Sequence, residues 1–600
     1  MFLFSFLIAA GLQLAAAPDT LQAVTIVADT GFVVSRTDTL SFNNNGSGTV
    51  TDALLRLPGL ALSDFGGAAG LKNVSLRGLG TAHTEIYLDG VRVSNFQSGQ
   101  NDLGMLPLET LGSAVADYAQ NSLSFRTARP QFDGRRIAGQ LRLQAGSFGT
   151  WMPAARLDLR AAERVSVSAH AAGVISRGDF PYGDDGARRT GNDIRQLRSG
   201  VDVFGTMTGG EWQFKTYFHA ADRGTPGSLS WPSEDRQRDR NTVVQGGLRK
   251  AFSEHYTLDL NAKGAYDALH YQSAWGDSDY GFSDFQLNSS HSFRLTEHWG
   301  VSLAADLERG ALRATDYEAA RTAAVAAVAA AVRFARFRAD LAVEYRGTFD
   351  RDADALHSLS PSLDLRFRLA DGIDLVGYAR RAFRTPTFNE RYYPGYGNPD
   401  LRPEDAWMTD LGVEWHRNAS GTWTFGAKAD LYHNALRDKI ISAPAEADPY
   451  LWLPYNIGKV SATGADALVS LRRNSGGADA GISVRYAWQA ALDKTPGSET
   501  FGQQIPYVAR HTVSIAADAS WRGWRADALW NWRGGRFDAA GEMPAWDSLD
   551  LSLRKRISAG GSRVLTLFVS AKDLLDCRYE LVRDYPMPGR SVLGGLEFKF

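Results

Sequence analysis

Apolar and polar residues alternate with a period of two over most of the chain after about Gly134. In EWQFKTYFHA the two faces of an extended chain carry different residues: Trp212, Phe214, Thr216, Phe218 and Ala220 on one face, and Gln213, Lys215, Tyr217 and His219 on the other. The segment YTLDLNAKGAYDAL repeats this pattern. Such alternation predicts β-strands with one apolar and one polar face.

Turn signals between these runs predict hairpins. In SLDLRFRLADGIDLVGYAR, the tripeptide Ala370-Asp371-Gly372 separates two alternating segments. At roughly 9–11 residues per membrane strand, the region from Gly134 to Phe600 holds about 22 antiparallel strands.

The composition of the polar face decides between a soluble and a membrane-embedded sheet. It carries many Arg, Lys, Asp, Glu and Gln side chains, which the dry core of a soluble sandwich or propeller does not tolerate unpaired. In an outer-membrane barrel the apolar face meets lipid and the polar face lines the interior. The chain has 15 tryptophans, many of them near strand ends, as in the interfacial girdles of such barrels. We therefore predict a transmembrane β-barrel.

The C-terminal segment SVLGGLEFKF is a strand that ends on Phe600 without a polar tail. A closed barrel in lipid needs its last strand to pair with its first, because an open edge leaves backbone groups unsatisfied. We expect Leu596, Phe598 and Phe600 to face lipid, and Glu597 and Lys599 to face inward.

The residues ahead of Gly134 follow a different pattern. Residues 1–17 form an apolar run that ends in small residues, which is typical of a secretory signal peptide. The segment TVTDALLRLPGLAL, from Thr49, predicts an amphipathic helix that ends at Pro58-Gly59. Short strands follow, with a turn at Asp89-Gly90. This region is predicted to be a small α/β domain.

One alanine-rich segment is ambiguous. Residues 319–334, AARTAAVAAVAAAVRF, are compatible with a helix by composition. Because the alternating segment RFARFRADLAVEYRG follows directly, we expect a loop that leads into a strand.

Composition and missing motifs narrow the function. The net charge is −2, so overall charge gives no basis for binding nucleic acid. The single cysteine, Cys577, excludes an intramolecular disulfide and a cysteine metal cluster. GxSxG and HExxH motifs are absent from the sequence. A secreted β-rich hydrolase with paired carboxylates remains the enzyme alternative, and a passive porin the transport alternative.

Segments along the chain match, in order, the motifs of one family. TLQAVTIVA near the N-terminus is followed by VTDALLRLPGL, VSLRG and IYLDGVRV, and then by GNPDLRPED, YNIGKVSATGADA and KDLLDCRYELVRDYPMPGRSVLGGLEFKF. With these motifs the chain resembles the TonB-dependent receptors of Gram-negative outer membranes. It lacks the arginine-glycine-proline and tyrosine-glycine motif that commonly closes the plug domain of this family; VADYAQNSLSFRTARPQFDG stands there instead.

The resemblance implies a domain order and a location. Residues 1–17 are the signal peptide, 18–30 the TonB box and linker, 31–133 an α/β plug inside the lumen, and 134–600 the barrel. The protein is then an importer rather than an enzyme, in the outer membrane of a Gram-negative bacterium and surrounded by outer-membrane lipid.

The resemblance also implies partners for two parts of the plug region. A TonB-type protein of the inner membrane would capture the box by strand addition, through Leu21, Gln22, Ala23, Val24, Thr25, Ile26 and Val27. Arg77, in the SLRG segment, resembles a family arginine that pairs with barrel carboxylates. Glu404 and Glu414 are the candidate partners, and a solvated arginine is the alternative.

Ligand contacts are expected at the plug apices and in the extracellular loops. The candidates are the plug residues Asn95, Phe96 and Gln97 and the mid-barrel aromatics Tyr392, Tyr393 and Tyr396, with packing of the loops as the alternative role. One loop, GDFPYGDDGARRTGND, gathers Asp179, Asp184, Asp185 and Asp193. Clustered carboxylates bind calcium, although the spacing is not that of an EF-hand and a solvated acidic loop is the alternative. No cofactor is required.

The sequence says least about which ligand is imported. The box directly after the signal, the compact length and the DGVRV and YPMPGR segments resemble the cobalamin-transporter branch. We therefore expect cobalamin or another corrinoid, with a ferric siderophore as the alternative and a surface lipoprotein as a further partner.

Overall fold

A computed structural model of the protein describes residues 37–42, 54, 57, 60–93, 96–99, 101–106, 110–183, 185–419, 422–445, 448–538 and 540–600. The predicted signal peptide, the TonB box and the start of the helix at Thr49 lie outside these residues. No helix among them is long and apolar enough to cross a membrane.

The larger part of the chain is a closed barrel of 22 antiparallel strands, as the alternation predicts. In order around the barrel they are β8 (Ile137–Gly146), β9 (Thr150–Ala162), β10 (Val165–Ser176), β13 (Ile194–Met207), β14 (Gly210–Gly227), β15 (Pro232–Ala251), β16 (Tyr256–Ser273), β17 (Gly276–Arg294), β18 (Trp299–Ala314), β19 (Glu318–Arg333), β20 (Phe337–Asp350), β21 (Leu356–Ala370), β22 (Ile373–Arg384), β23 (Glu404–Ala419), β24 (Trp423–Ala445), β25 (Asp448–Ser475), β26 (Ala478–Asp493), β27 (His511–Trp521), β28 (Trp524–Arg533), β31 (Trp546–Ser558), β32 (Val564–Lys572) and β35 (Ser591–Lys599).

The two faces of the strands differ as expected. In β14, Phe214 is 44% exposed on the outside, whereas the neighbouring Lys215 is 6% exposed and faces the lumen. The predicted hairpin at Asp371-Gly372 joins β21 to β22, and Gly372 has a φ of 75°, which favours glycine.

The last strand closes the barrel. β35 pairs antiparallel with β8, with Leu596 opposite Leu143, and with β32 on its other side. Leu596 is exposed on the outer face, and Glu597 accepts a hydrogen bond from Gln140 Nε2 at 2.8 Å. The C-terminal strand therefore supplies the backbone hydrogen-bond partners that β8 would otherwise lack at its free edge.

The prediction of a loop at residues 319–334 is wrong, because most of this segment forms β19. It pairs along its length with β18 and β20. Alanine has little β-propensity of its own, and the two neighbouring ladders impose the extended conformation.

The N-terminal domain fills the lumen as a plug. Seven strands lie in its described residues: β1 (Thr37–Ser41), β2 (Leu60–Asp64), β3 (Lys72–Leu76), β4 (Glu85–Leu88), β5 (Val91–Arg92), β6 (Leu111–Asp117) and β7 (Ser122–Thr127). Five of them form a sheet in the order β1-β6-β7-β4-β5, in which only β4 and β7 are parallel, and β2 pairs with β3. Asp89 and Gly90, both with positive φ, make the predicted turn between β4 and β5.

The core of the plug continues onto one side of the barrel wall. Leu76, Leu79 and Leu123 pack in the same buried cluster as inward-facing residues of β22 to β26, among them Met408 and Ala462. The plug is therefore fixed to this side by apolar contact as well as by the polar contacts described below.

The part of the plug that lacks the family motif is a β-hairpin. β6 and β7 pair across residues 118–121, with Asn121 at a φ of 48°. The tip contacts the wall, because the Tyr378 hydroxyl donates to Tyr118 O at 3.1 Å and Arg380 donates to the Gln120 side chain.

Short elements complete the loops and the plug. These are the helix α1 (Phe388–Tyr392), the 3₁₀ turns Thr81–His83 and Leu103–Met105, and the two-stranded pairs β11 (Pro181–Tyr182) with β12 (Ala187–Arg188), β29 (Arg536–Asp538) with β30 (Gly541–Met543) and β33 (Glu580–Val582) with β34 (Tyr585–Pro586). The Thr387 hydroxyl accepts from Glu390 N, and the Glu390 carboxylate accepts from Thr387 N, so a capping box begins α1.

Candidate functional site

Arg77 joins the plug to the barrel at a buried site. It follows β3 and has a φ of 47°, a strained conformation for a residue with a side chain. Its Nη1 donates to Asp410 Oδ2 at 2.7 Å and its Nε to Asp466 Oδ2 at 3.1 Å. The guanidinium lies 4.5 Å from the ring centres of both Tyr118 and Tyr432. One plug residue thus engages strands β23, β24 and β25.

The surroundings of Arg77 keep it charged. Burial alone lowers the pKa of the guanidinium, but Tyr378, Asp466 and Asp410 together raise the pKa above its usual range. Only 2% of the residue is exposed. Removing the guanidinium would therefore leave two buried carboxylates without it, which is costly.

The prediction that Arg77 pairs with Glu404 and Glu414 is wrong, although both lie on β23, the strand of its partner Asp410. Glu404 Oε2 lies 2.5 Å from Nε2 of His83 on the plug, and Glu404 also pairs with Arg384. Glu414 pairs with Arg366 at 3.0 Å and approaches Lys428 Nζ at 3.7 Å. Glu404, Asp410 and Glu414 all point inward from β23, and the depth of the plug places Arg77 opposite Asp410.

Further ion pairs hold the plug on the opposite wall. Lys215 donates to Asp89 Oδ2 at 2.6 Å, and Arg223 donates to Asp102 Oδ2 at 2.9 Å. Burial raises the pKa of Asp89, but Lys215, together with hydrogen bonds from Thr127, has the larger combined effect and lowers it. Asp89 is therefore charged wherever the plug is docked at neutral pH.

A large cavity lies between the plug and strands β14 to β17. Its volume is about 1420 Å³, above the roughly 300–1,000 Å³ of pockets for drug-sized ligands. It extends from the loop ends at Trp231 and Trp275 down to Gln245 and Lys263, where plug residues close it. We call it the large cavity.

The lining of the large cavity is acidic and aromatic. Three cationic residues face five carboxylate residues: Arg92, Arg223 and Lys263 against Asp102, Glu234, Asp235, Asp239 and Asp267. All three cations form ion pairs, Lys263 with Asp284, Arg92 with Glu85 and Glu308, and Arg223 with Asp102 and Asp239. Amide side chains, including Gln237 and Asn241, complete the wall.

Comparison with family models assigns both domains. The model "TonB dependent receptor-like, beta-barrel" matches residues 181–574, more than half of the chain, and the model "TonB-dependent Receptor Plug Domain" matches residues 27–127. The chain belongs to the TonB-dependent receptor family. Members of this family are outer-membrane proteins of Gram-negative bacteria that interact with TonB and transport a small-molecule ligand.

Individual relatives are distant. The vitamin B12 transporter BtuB of Vibrio vulnificus is 22% identical over 92% of this chain and 90% of its own length, and that of Photobacterium profundum 21% identical over the same shares. Among solved structures, the FrpB iron transporter of Neisseria meningitidis has a TM-score of 0.78 at 12% identity, covering 94% of this chain and 99% of its own. The ferric citrate transporter FecA has a TM-score of 0.77 at 15% identity, covering 95% and 97%. These structures share the fold.

The receptor brings only part of the predicted ligand set to the large cavity. Gln97 lines it together with Asn389, whose backbone N–H donates to Gln97 O at 3.0 Å. Phe96 packs against Phe282 and Phe388 in a buried cluster instead. Asn95 lies outside the described residues.

The three predicted tyrosines contact protein groups in the loops of the receptor. The Tyr392 hydroxyl donates to Asp350 Oδ2 at 2.7 Å, Tyr393 packs edge-on against Tyr317, and the Tyr396 hydroxyl lies 2.6 Å from Ser442 Oγ. None of them is among the described residues that line the large cavity. Their role in ligand binding stays a prediction.

The described carboxylates of the acidic loop have separate partners. Asp193 accepts from both terminal nitrogens of Arg236 at 3.1 Å, and Asp179 lies 3.5 Å from Arg188. Asp185 accepts from Ala187 N, and Asp184 lies outside the described residues. Among the residues that the structure describes, no group of three or more His, Cys, Asp or Glu side chains is placed to hold a metal ion. Calcium binding stays a prediction, which the arginine pairing of Asp193 and Asp179 disfavours.

Sequence reasoning missed the two aromatic residues at the mouth of the large cavity. Trp231 is 77% exposed and Trp275 is 92% exposed, and both line the cavity. Their sequence signal is a tryptophan in the turn between two strands. Aromatic side chains are common in the lining of small-molecule sites, so these two are candidates for ligand contact.

Proposed function

We propose that this receptor imports cobalamin or another corrinoid across the outer membrane. The observation that carries the proposal is the large cavity, with its aromatic mouth, amide-rich wall and acidic lining, in a chain whose curated relatives are named vitamin B12 transporters.

The chemistry of the cavity matches that of the ligand class. A corrinoid is a broad macrocycle whose rim carries amide groups, so carboxylates and side-chain amides are suitable acceptors for its N–H groups. Trp231 and Trp275 offer flat apolar surfaces to the macrocycle at the entrance. Anionic ferric chelates are less suited, because each cation of the lining already forms an ion pair.

Transport requires the plug to move, and the plug contacts on the two walls differ in how easily they separate. The ion pairs at Asp89 and Asp102 are polar, and water can replace them as the plug shifts. The Arg77 site and the apolar contact with β22 to β26 are harder to separate. We infer that a pull from TonB on residues 21–27, captured by strand addition, acts first on β1, the edge strand of the plug sheet. Asp38 of β1 accepts from Lys428 of β24 at 2.7 Å, so the pull reaches the wall of the Arg77 site first.

Calorimetric titration of the detergent-purified receptor with cyanocobalamin tests this function. We expect saturable binding with a Kd on the order of 1 μM or below. Trp275→Ala should weaken binding about two- to tenfold, since aromatic contacts of this kind are worth about 0.5–1.5 kcal/mol. Trp521→Ala is the matched control, because Trp521 is exposed at the opposite, short-turn end of the barrel.

The same titration separates the alternatives. Absence of binding by protein that still shows the heat-dependent gel mobility of a folded barrel would reject the corrinoid, and ferric siderophores would be titrated next. Repeating the titration with calcium and with a chelator tests the acidic loop. Tighter binding in calcium that is lost in Asp185→Asn would support a site there.

A further inference from the structure

A second cavity, of about 330 Å³, lies between the plug and another part of the wall. Strands β8 to β10 and β26 to β32 contribute most of its barrel side, and β2 contributes on the plug side. The plug residues Leu103 and Leu106 line both this cavity and the large one, so the turn Leu103–Met105 forms part of the partition between them. We call the second one the small cavity.

The charge balance of the small cavity is opposite to that of the large one. Six cationic residues and three carboxylate residues line it: Lys72, Arg142, Arg198, Arg533, Arg536 and Lys572, against Asp64, Asp550 and Asp573. Lys72 and Asp64 pair with each other at 2.9 Å. The remaining lining has an excess of positive charge.

Within the described part of the chain, two of these arginines bond only to backbone oxygens. Arg533 Nη1 donates to Leu60 O of the plug at 3.1 Å, and Arg536 Nη2 donates to Glu580 O. Neither forms an ion pair with any residue that the structure describes. Arg536 is buried and Arg533 is half-buried. A guanidinium held out of water without a paired carboxylate is unfavourable, and its planar fork of N–H donors matches a carboxylate or phosphate.

Further donors in the same lining lack acceptors. Arg536 Nη1, Trp546 Nε1 and Gln144 Nε2 are buried, and none has a hydrogen-bond acceptor within the described part of the chain. All three residues are less than 10% exposed and line the small cavity. Buried donors are nearly always paired in proteins, so this surplus of donors calls for an acceptor-rich ligand.

A pair of stacked aromatic rings forms part of the wall of the small cavity. The rings of Trp546 and Tyr579 stack with centres 4.1 Å apart and planes inclined by 13°. Both residues line the small cavity. The stack fixes the indole N–H in a rigid position, as expected for a built binding site rather than a gap in the packing.

We propose that the small cavity binds a small anionic molecule that carries a carboxylate or phosphate group. The guanidinium groups of Arg533 and Arg536 supply the charge, and Trp546 Nε1 and Gln144 Nε2 supply further donors. The volume lies at the lower end of the range for small-molecule sites. The proposal does not rest on the corrinoid, which would occupy the other side of the partition.

The test is calorimetric titration of the full-length, detergent-purified receptor with citrate and, separately, with inorganic phosphate. We expect saturable binding of at least one of these anions, with Arg533→Gln and Arg536→Gln each weakening it at least tenfold. Trp546→Phe, which keeps the ring and removes the N–H donor, should weaken it less. Citrate alone would assign a carboxylate ligand, and phosphate alone a phosphate ligand.

Controls keep the outcome interpretable. Arg313→Gln changes an exposed arginine elsewhere and should bind the anion as the parent does. Arg536→Lys keeps the charge and should therefore retain more anion binding than Arg536→Gln. It also provides a comparison with the parent if Arg536→Gln does not fold. Cyanocobalamin titrations of the same variants should be unchanged, which separates this proposal from the corrinoid. No anion binding by the folded parent, or equal binding by parent and arginine variants, would overturn the proposal.

Discussion

Arg77 shows how a single residue ties a removable domain to a rigid wall. Its guanidinium lies between two tyrosine rings and contacts carboxylates from β23 and β25. Such a contact is stable while it is dry and complete, since the guanidinium lies between the two carboxylates. Once one partner leaves, the remaining buried charges are unfavourable, so separation tends to be all or none.

Replacing Arg77 should loosen the plug. We expect Arg77→Met to weaken its docking by about 3–5 kcal/mol, because Asp410 and Asp466 would lose their buried counter-charge. Single-channel recordings in planar bilayers would detect this as frequent ion-conducting openings. Arg129→Met is the matched control, because its pair with Glu211 at 2.9 Å is about half exposed and worth at most about 1 kcal/mol. Equal conductance of the two variants would contradict the prediction.

Asp89 should make plug docking sensitive to acid. Its pKa in the docked plug lies below its ordinary value of about 3.9. The pair with Lys215 therefore contributes its full stability above about pH 4 and loses it as the pH falls through the lowered pKa. Asp89→Asn should lower the urea midpoint of plug release at pH 7, and this effect should shrink progressively as the pH falls below about 4. An effect that stays the same size across this range would show that the charge is not responsible.

The partner of Arg77 marks how far sequence reasoning reaches at this scale. Alternation places Glu404, Asp410 and Glu414 on the inward face of β23, so the face can be predicted. Which of the three carboxylates lies level with Arg77 cannot be predicted. Two residues along a strand correspond to roughly 6.6 Å, and the depth of the plug in the lumen depends on the packing of a whole domain. Residues far away in sequence, such as Asp466, enter the site for the same reason.

At the scale of elements, strands were predictable where both faces carry a signal. β14 alternates aromatic and charged residues, and its two faces meet lipid and lumen as predicted. β19 lacks that signal, because alanine fits either face and is also a good helix former. Only its pairing with β18 and β20 makes it a strand, and such pairing is a property of the closed barrel.

The closing strand provides a test at this scale. Leu596→Arg puts a charge on the lipid face of β35, at a cost of up to about 2–4 kcal/mol near the bilayer midplane and less near the interface. We expect fewer folded barrels in the outer membrane, measured as the fraction with heat-dependent gel mobility. Glu597→Gln, on the inward face of the same strand, should assemble normally. Normal assembly of Leu596→Arg would mean that this face does not meet lipid.

At the scale of the whole molecule, the plug is held asymmetrically. One side shares a buried core and the Arg77 site with β22 to β26, whereas two cavities of opposite charge balance flank it elsewhere. The motif order predicted a plug inside a barrel, since it reflects the family. It did not predict the cavities, because their walls combine loop ends and plug turns that meet only in the folded chain.

Uptake of radiolabelled cyanocobalamin by cells that produce the receptor as their only corrinoid transporter is the most direct measurement. Cells with the intact receptor should accumulate the label above its concentration in the medium. Cells with residues 21–27 deleted should bind it at the surface without accumulating it, because the segment for TonB is lost. Equal accumulation by both would contradict energised import and indicate a passive pore, and no uptake by the intact, folded receptor would contradict the corrinoid.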